Sequence, residues 1–305
     1  NLRLLNLEYA ERPDDPLVLF NLGSLKLDVG QVGEAIPLLE RSIERAPPGY
    51  SLLCKTFALL TCAYRQLGRA NDAIRICQTG RTRMPREPEL LFYEGLLLLE
   101  AGQPAAAEAS LRELLRLPAP SDMAGNDVGL QGYKTRQNLA VSLRDQRRWS
   151  EAEAEWRLVL AERQDFAPAW LGLVSLLSSQ GRWEDLEREA ARLEANPQAQ
   201  EMAHLVRSKM LLDRKDHGAA ITLSEATIRQ LPNAVWPRLL LAEARWQQAD
   251  DPVATEQALR DVLAFDPNHL PTRGRLAQLA KRGRCLEANP TASGSEVCGS
   301  GSADV

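Results

Sequence analysis

A period of 34 residues runs through this chain and constrains its fold more than any other feature. Pro13 and Pro47 stand 34 apart, as do Gly68 and Gly102, and so do Arg147 and Gly181. Ala35 and Ala73 are 38 apart, the same period with four residues inserted. Self-similarity on this scale marks units that cannot bury their own apolar faces and must stack on their neighbours. Leu and Ala supply about 90 of the 305 residues and Val and Ile only about 19, which favours helix over strand as the repeated element.

Each unit has the same grammar. A stretch of apolar residues at helical spacing ends near Gly or a polar turn. A second helical stretch carries a small residue on its inner side, and Pro then closes the unit. In "PLVLFNLGSLKLDVG" followed by "QVGEAIPLLERSIERAP", Leu19, Phe20 and Leu22 recur at helical spacing. Gly30 is placed to adopt the left-handed conformation that stops a helix. Pro47 ends the second helix because it lacks an N–H and restricts its predecessor. Ala35, Ala73, Ala107, Ala152 and Ala220 recur where two helices of a unit should cross, and a larger side chain there would push the backbones apart.

These residues resemble the tetratricopeptide repeat. The first unit reads Leu19, Leu22-Gly23, Ala35, Leu39, Ser42 and Pro47, and the second Phe57, Leu60, Tyr64, Ala73, Cys77, Gly80 and Pro85. The match covers nearly all of residues 1–282. It departs from the pattern at Lys26 and Arg245, where an aromatic is usual, at Leu186, where Ala is usual, and at Gln164, where Pro is usual. The resemblance implies an all-α fold, a right-handed α-solenoid of about seven to eight stacked helix-turn-helix units. Residues 1–12 read as the second helix of a unit whose first helix lies outside the chain. A long Pro-, Gly- and Asp-rich connection is expected over 118–132, a capping helix from about Leu270 to Lys281, and a disordered Gly/Ser-rich tail over 283–305. Trp149, Trp156, Trp170 and Trp183 are expected at packing positions between helices.

Few residues suggest chemistry. "GLQGYKT" (129–135) breaks the phosphate-loop pattern at Tyr133. His204, His217 and His269 are isolated, and neither nucleophile-elbow nor zinc-protease motifs occur. The five Cys show no C-x-x-C spacing, so neither a disulfide framework nor a zinc site is signalled. The expectation is a chain that is not an enzyme and takes no cofactor or metal. A net charge of −4 argues against nucleic acid as a partner. No apolar run exceeds four residues, as at Leu96–Leu99, far short of the ~20 a membrane span needs. The thiols fit a reducing, cytoplasmic setting.

In the repeat family the first helix of each pair lines a concave groove through its second, fifth, ninth, twelfth and thirteenth positions. Carried over, these positions include Lys55, Cys62 and Arg65; Lys134, Gln137, Val141 and Arg144; and Trp236, Leu239, Glu243 and Trp246. The resemblance thus implies a protein or peptide segment as partner, with Lys55, Arg65, Lys134, Gln137, Arg144, Trp236 and Trp246 as candidate groove residues. Trp236 and Trp246 would be an apolar anchor and the basic residues would steer acidic parts of the ligand. Fifth and ninth positions hold Phe20/Ser24, Ala58/Cys62, Phe92/Leu96 and Gln137/Val141, not the Lys/Asn pair that clamps a peptide C-terminus. The segments "LRLLNLEYAERPDDPLVLFNLG" and "GYKTRQNLAVSLRDQRRWSEAEAEW" also resemble the C-terminal repeat regions of bacterial family 2 glycosyltransferases. That resemblance implies an accessory region that positions an acceptor or builds a homo-oligomer.

Overall fold

The computed structural model of the chain describes residues 2–118, 129–267 and 269–288. Among these residues are sixteen α-helices and one 3-10 turn, with no strand. The helices fall into two compact units that divide between Leu173 and Val174.

The first unit begins with α1 (Leu2–Glu11). Four helix pairs follow: α2 and α3 (Pro16–Asp28, Val32–Arg45), α4 and α5 (Leu53–Gln66, Ala70–Arg83), α6 and α7 (Pro88–Glu100, Pro104–Arg116), and α8 and α9 (Tyr133–Asp145, Trp149–Glu162). The division falls inside α10 (Ala167–Ser179). The second unit contains α11 (Trp183–Glu194), the pair α12 and α13 (Gln200–Asp213, His217–Gln230), the pair α14 and α15 (Trp236–Gln248, Pro252–Phe265), and α16 (Leu270–Ala288). None of these helices is long and apolar enough to cross a membrane.

Local chemistry explains the helix ends. Asp15 caps α2 by accepting from the Leu17 and Val18 N–H groups, and Asp216 and Asp251 cap α13 and α15 in the same way. Pro16, Pro88, Pro104 and Pro252 stand in the first turn, where their missing N–H costs nothing. The turns inside the pairs share one device: a single residue with positive φ. Gly30, Gly68, Gly102 and Gly181 occupy it at φ 68–78°. Arg147, Lys215 and Ala249 occupy it at φ 58–61° without being glycine. Positions 147, 181, 215 and 249 are spaced by 34, and the last of these turns carries one more residue than the others, Asp250, before its N-cap Asp251.

The small crossing residues Ala35, Ala73, Ala107, Ala152 and Ala220 are all fully buried. Leu186, which replaces Ala, is buried as well. The charged residues at aromatic positions are tied off. Lys26 donates to Gln31 at 2.8 Å and Glu34 at 2.9 Å, and Arg245 to Glu225 at 2.6 Å. Arg41 anchors α1 by donating to the Tyr9 hydroxyl at 2.7 Å and the Pro13 carbonyl at 2.8 Å.

Three expectations need correction or fall outside view. Trp156 and Trp170 are buried, but Trp149 is 41% exposed and Trp183 only partly buried. Both are the first residue of their helix, directly after the turn, so their indoles project at the edge of the stack. The last helix continues past Lys281 to Ala288, since Arg284 to Ala288 are helix-compatible and the first strong stop is Pro290. Residues 289–305 of the expected tail and 119–128 of the expected connection lie outside the described residues. The two ends of that connection meet where Gln131 donates to the Pro118 carbonyl at 3.3 Å.

Candidate partner-binding face

The first helices of the pairs form a layer of their own. In the first unit α2 packs on α4, α4 on α6 and α6 on α8, in addition to the contact within each pair. The second helices α3, α5, α7 and α9 make no such contacts with one another. The first-helix side is therefore the tighter, inner side of this unit. Residues at the fifth, ninth and twelfth positions of a helix share one face.

On α2, Phe20, Ser24 and Leu27 are half-buried, and Leu17 at the rim is 47% exposed. On α6, Phe92, Leu96 and Leu99 are half-buried, and on α8 so is Val141. Between them α4 offers the buried Ala58 and the half-buried Cys62. The face is thus a band of aromatic and aliphatic groups, most of them partly exposed. The Phe92 ring meets Tyr93 edge-on at 5.9 Å. Burial, with the neighbouring Cys62 and Glu89, pushes the Tyr93 hydroxyl up to about 12, so it stays a neutral donor.

Charged groups stand at the rims. Lys55 is half-buried beside Cys54, whose thiol is pushed far above its ordinary range by burial and by Glu87 and Glu89. Arg65 pairs with Glu100 at 2.7 Å, both partners exposed, and Arg144 pairs with its neighbour Asp145 at 2.7 Å. The Lys134 ammonium lies 5.9 Å from the Tyr133 ring centre. Such exposed pairs contribute about 0–1 kcal/mol each, and their bonds exchange readily with a ligand's charges.

Gln137 has a different task. Its Oε1 accepts from the Trp156 indole N–H at 3.0 Å. This bond satisfies the polar end of a fully buried indole and ties α8 to α9.

The second unit holds the other two candidates, so the structure does not gather the set in one unit. Trp236 opens α14 half-buried, and its backbone N–H donates to Glu201 Oε1 at 3.2 Å. Trp246 is also half-buried, packed on the Ala242–Leu259–Val262 cluster beside Leu276, with the Arg275 guanidinium 5.4 Å from a ring centre. At Trp246 the indole is partly covered, since α16 packs on α15 and its Leu276 and Leu279 share the cluster on which the indole packs. Among the described residues no three His, Cys, Asp or Glu side chains gather as metal ligands would.

In the sequence Phe92 and Leu96 stand out only as departures from the carboxylate clamp, while Phe20 also belongs to the apolar helical spacing and Val141 to the carried-over groove positions. Their apolar character at consecutive fifth and ninth positions was the available signal for a band.

Models of the tetratricopeptide repeat match residues 17–48, 59–122 and 134–165. A tetratricopeptide repeat protein from Parabacteroides merdae superimposes with a TM-score of 0.58 at 14% identity, over 87% of this chain and 98% of that one. The anaphase-promoting-complex hetero-tetramer Cut9–Hcn1 gives 0.51 at 14% identity, over 91% of this chain and 45% of that one. Over 138 residues, 42% of this chain, the sequence is 33% identical to cellulose synthase operon protein C of Xanthomonas axonopodis pv. citri, and the match spans 9% of that protein.

Proposed function

Because the chain belongs to the tetratricopeptide-repeat family, we propose that it is a non-catalytic scaffold holding a protein or peptide segment along the first-helix face of its first unit. The observation that carries this reading is the half-exposed band of Phe20, Leu27, Phe92, Leu96 and Val141 between charged rims. Covering the remaining exposed part of one such side chain contributes about 0.5–1 kcal/mol, and the band offers several in a row. Apolar side chains of the ligand that span the band therefore add up to the larger share of the affinity. Lys55, Arg65, Lys134 and Arg144 bias its approach and orientation.

The experiment is selection of binding peptides from a displayed random library on the whole chain, followed by affinity measurement on variants. Phe92→Glu or Leu96→Glu should weaken selected peptides about 30- to 100-fold. Leu158→Glu, at an exposed position on a second helix, should leave them unchanged. Equal loss at Leu158, or none at Phe92 and Leu96, refutes the assignment of the face. A cytoplasmic setting belongs to the same reading. It is supported by the free thiols of Cys54, Cys62 and Cys77 and is tested by fractionation of the native protein.

A second reading has one observation in its favour, the similarity to a cellulose synthase operon protein. In it these repeats are an accessory region of a larger polysaccharide-synthesis protein, such as a family 2 glycosyltransferase, positioning an acceptor or mediating oligomerisation. Detection of the native protein as a chain with an attached sugar-transfer domain would establish it, and a native chain of these repeats alone would remove it.

A further inference from the structure

The polar surface of this chain is mostly charged. Arg–Glu and Arg–Asp pairs run along the outer helices, as at Arg148–Glu108, Arg112–Glu108 and Arg81–Glu94. One concave surface in the second unit departs from this pattern. A cleft of about 390 Å³ opens where the start of α12 meets the end of α13 and the turn into α14. Gln198, Gln200, Gln230 and Asn233 line it, and Glu201 is its one charged residue. This volume lies within the range of small-ligand sites.

Hydrogen bonds hold the backbone turns that carry the walls. Asn196 Oδ1 accepts from the Gln198 N–H at 3.0 Å, which sets the turn that carries Gln198. Gln200 Nε2 donates to the carbonyls of Glu194 at 2.9 Å and Asn196 at 3.3 Å, which leaves its Oε1 as an acceptor. On the opposite wall Arg238 donates to the Pro232 and Ala234 carbonyls, both at 2.5 Å, and pins the turn that carries Asn233. Glu201 Oε1 accepts from the Val235 and Trp236 N–H groups, so this carboxylate is neutralised in part by a helix start. The carboxamides of Gln198, Gln230 and Asn233 have no hydrogen-bond partner among the described residues.

From this arrangement we propose that the cleft binds a neutral saccharide. A carboxamide presents a donor and an acceptor side by side, which matches two adjacent hydroxyls that each give and accept. Leu231 and the two prolines of the lining supply an apolar floor for the C–H face of a sugar ring. The Arg238 guanidinium behind the wall is engaged by the Pro232 and Ala234 carbonyls and lies over the Phe265 ring, and the lining itself carries only the carboxylate of Glu201, which disfavours a phosphorylated or acidic ligand. The lining has no aromatic pocket and no deep apolar slot, which argues against a peptide side chain as occupant. This site lies in the second unit and does not depend on the first-helix band of the first.

The test is calorimetric titration of the whole chain with cellotriose, maltotriose and triacetylchitotriose as neutral probes, with trigalacturonate as an acidic probe and a Gly-Ser-Asn tripeptide as a peptide probe. At least one neutral trisaccharide should bind with a dissociation constant below about 10 mM. Gln230→Ala combined with Asn233→Ala should weaken it about tenfold or more at an unchanged melting temperature. Both positions are exposed, so the variant keeps its fold. Absence of neutral-sugar binding, binding unaffected by the double variant, or preference for the acidic or peptide probe overturns the proposal.

Discussion

Gly95 lies against Leu111 so closely that a Cβ on the glycine would stand 2.6 Å from Leu111 Cδ2 and 2.7 Å from its Cγ. The same meeting occurs between Gly23 and Leu39, at 2.8 Å to both atoms. Each pair marks where the first helix of a repeat crosses the second. Leu111 and Leu39 are fully buried, so neither has room to swing aside.

Gly95→Ala should therefore destabilise the chain by about 1–3 kcal/mol, the usual range for an overpacked site, although alanine is the better helix former. Gly33, inside α3 and exposed, has nothing within 4 Å of its virtual Cβ. Gly33→Ala should stabilise by about 0.5–1 kcal/mol through propensity alone. Chemical denaturation of the two variants checks the contrast, and shifts of the same sign would refute the packing argument.

Arg147, Lys215 and Ala249 hold left-handed backbone without being glycine. That conformation costs an L-residue about 1–2 kcal/mol relative to glycine's freedom. Ala249→Gly should raise stability by about 1 kcal/mol, because Ala249 is exposed and no side-chain contact is lost. Gly102→Ala, at the equivalent turn with open space around it, should lower stability by a similar amount.

Trp246→Ala should lower the melting temperature. The indole packs on the α14–α15 core under Arg275, and its removal exposes that cluster. A loss of about 2 kcal/mol is expected for a large, half-covered aromatic. A variant that melts like the parent would restore the indole as a free groove residue.

His204 gives the second unit a pH dependence. Thr227 Oγ1 donates to the Leu223 carbonyl and so accepts from His204 Nδ1–H at 2.8 Å. Burial holds the imidazole below its ordinary pKa, and Glu194 opposes this in part. A folded-state value below the unfolded one means the stability is fully present above the unfolded value of about 6.5 and is lost as pH falls through the folded one. Melting temperature should thus drop on going from pH 7 to 5. His204→Gln should flatten part of the drop. Carboxylates such as Glu194, which the Arg207 guanidinium holds below the usual range, lose their contribution only on further acidification, below about pH 5.

Much of this fold was legible because its signals are local and recur. The five alanines at helix crossings, the prolines at unit ends and the glycines at turns each act on the backbone within one repeat, and their spacing survives in the sequence. The left-handed turns at Arg147, Lys215 and Ala249 were less visible, since no residue type announces them and only the period does. The task of Gln137 depends on Trp156 across a helix pair, and the carboxamide cleft joins Gln198 to Gln230 and Asn233 from different helices. Such groupings arise only when chain segments from half a repeat to one repeat apart are folded together. Exposure of Trp149 turned on its place at the first residue of a helix, a matter of one position that propensity does not resolve.

Within the first unit every helix touches only its immediate neighbours and, on the inner side, the next helix but one. No strut runs from one end of the array to the other, so a pulling force is carried in series by these short-range contacts. With stability summed over neighbouring pairs, such an array is expected to yield under tension one helix pair at a time while the remaining pairs stay closed. The same contacts re-form without distant partners having to find each other, so relaxation is fast. An array held only by such contacts should give way gradually under load, where a globular core would hold and then fail at once.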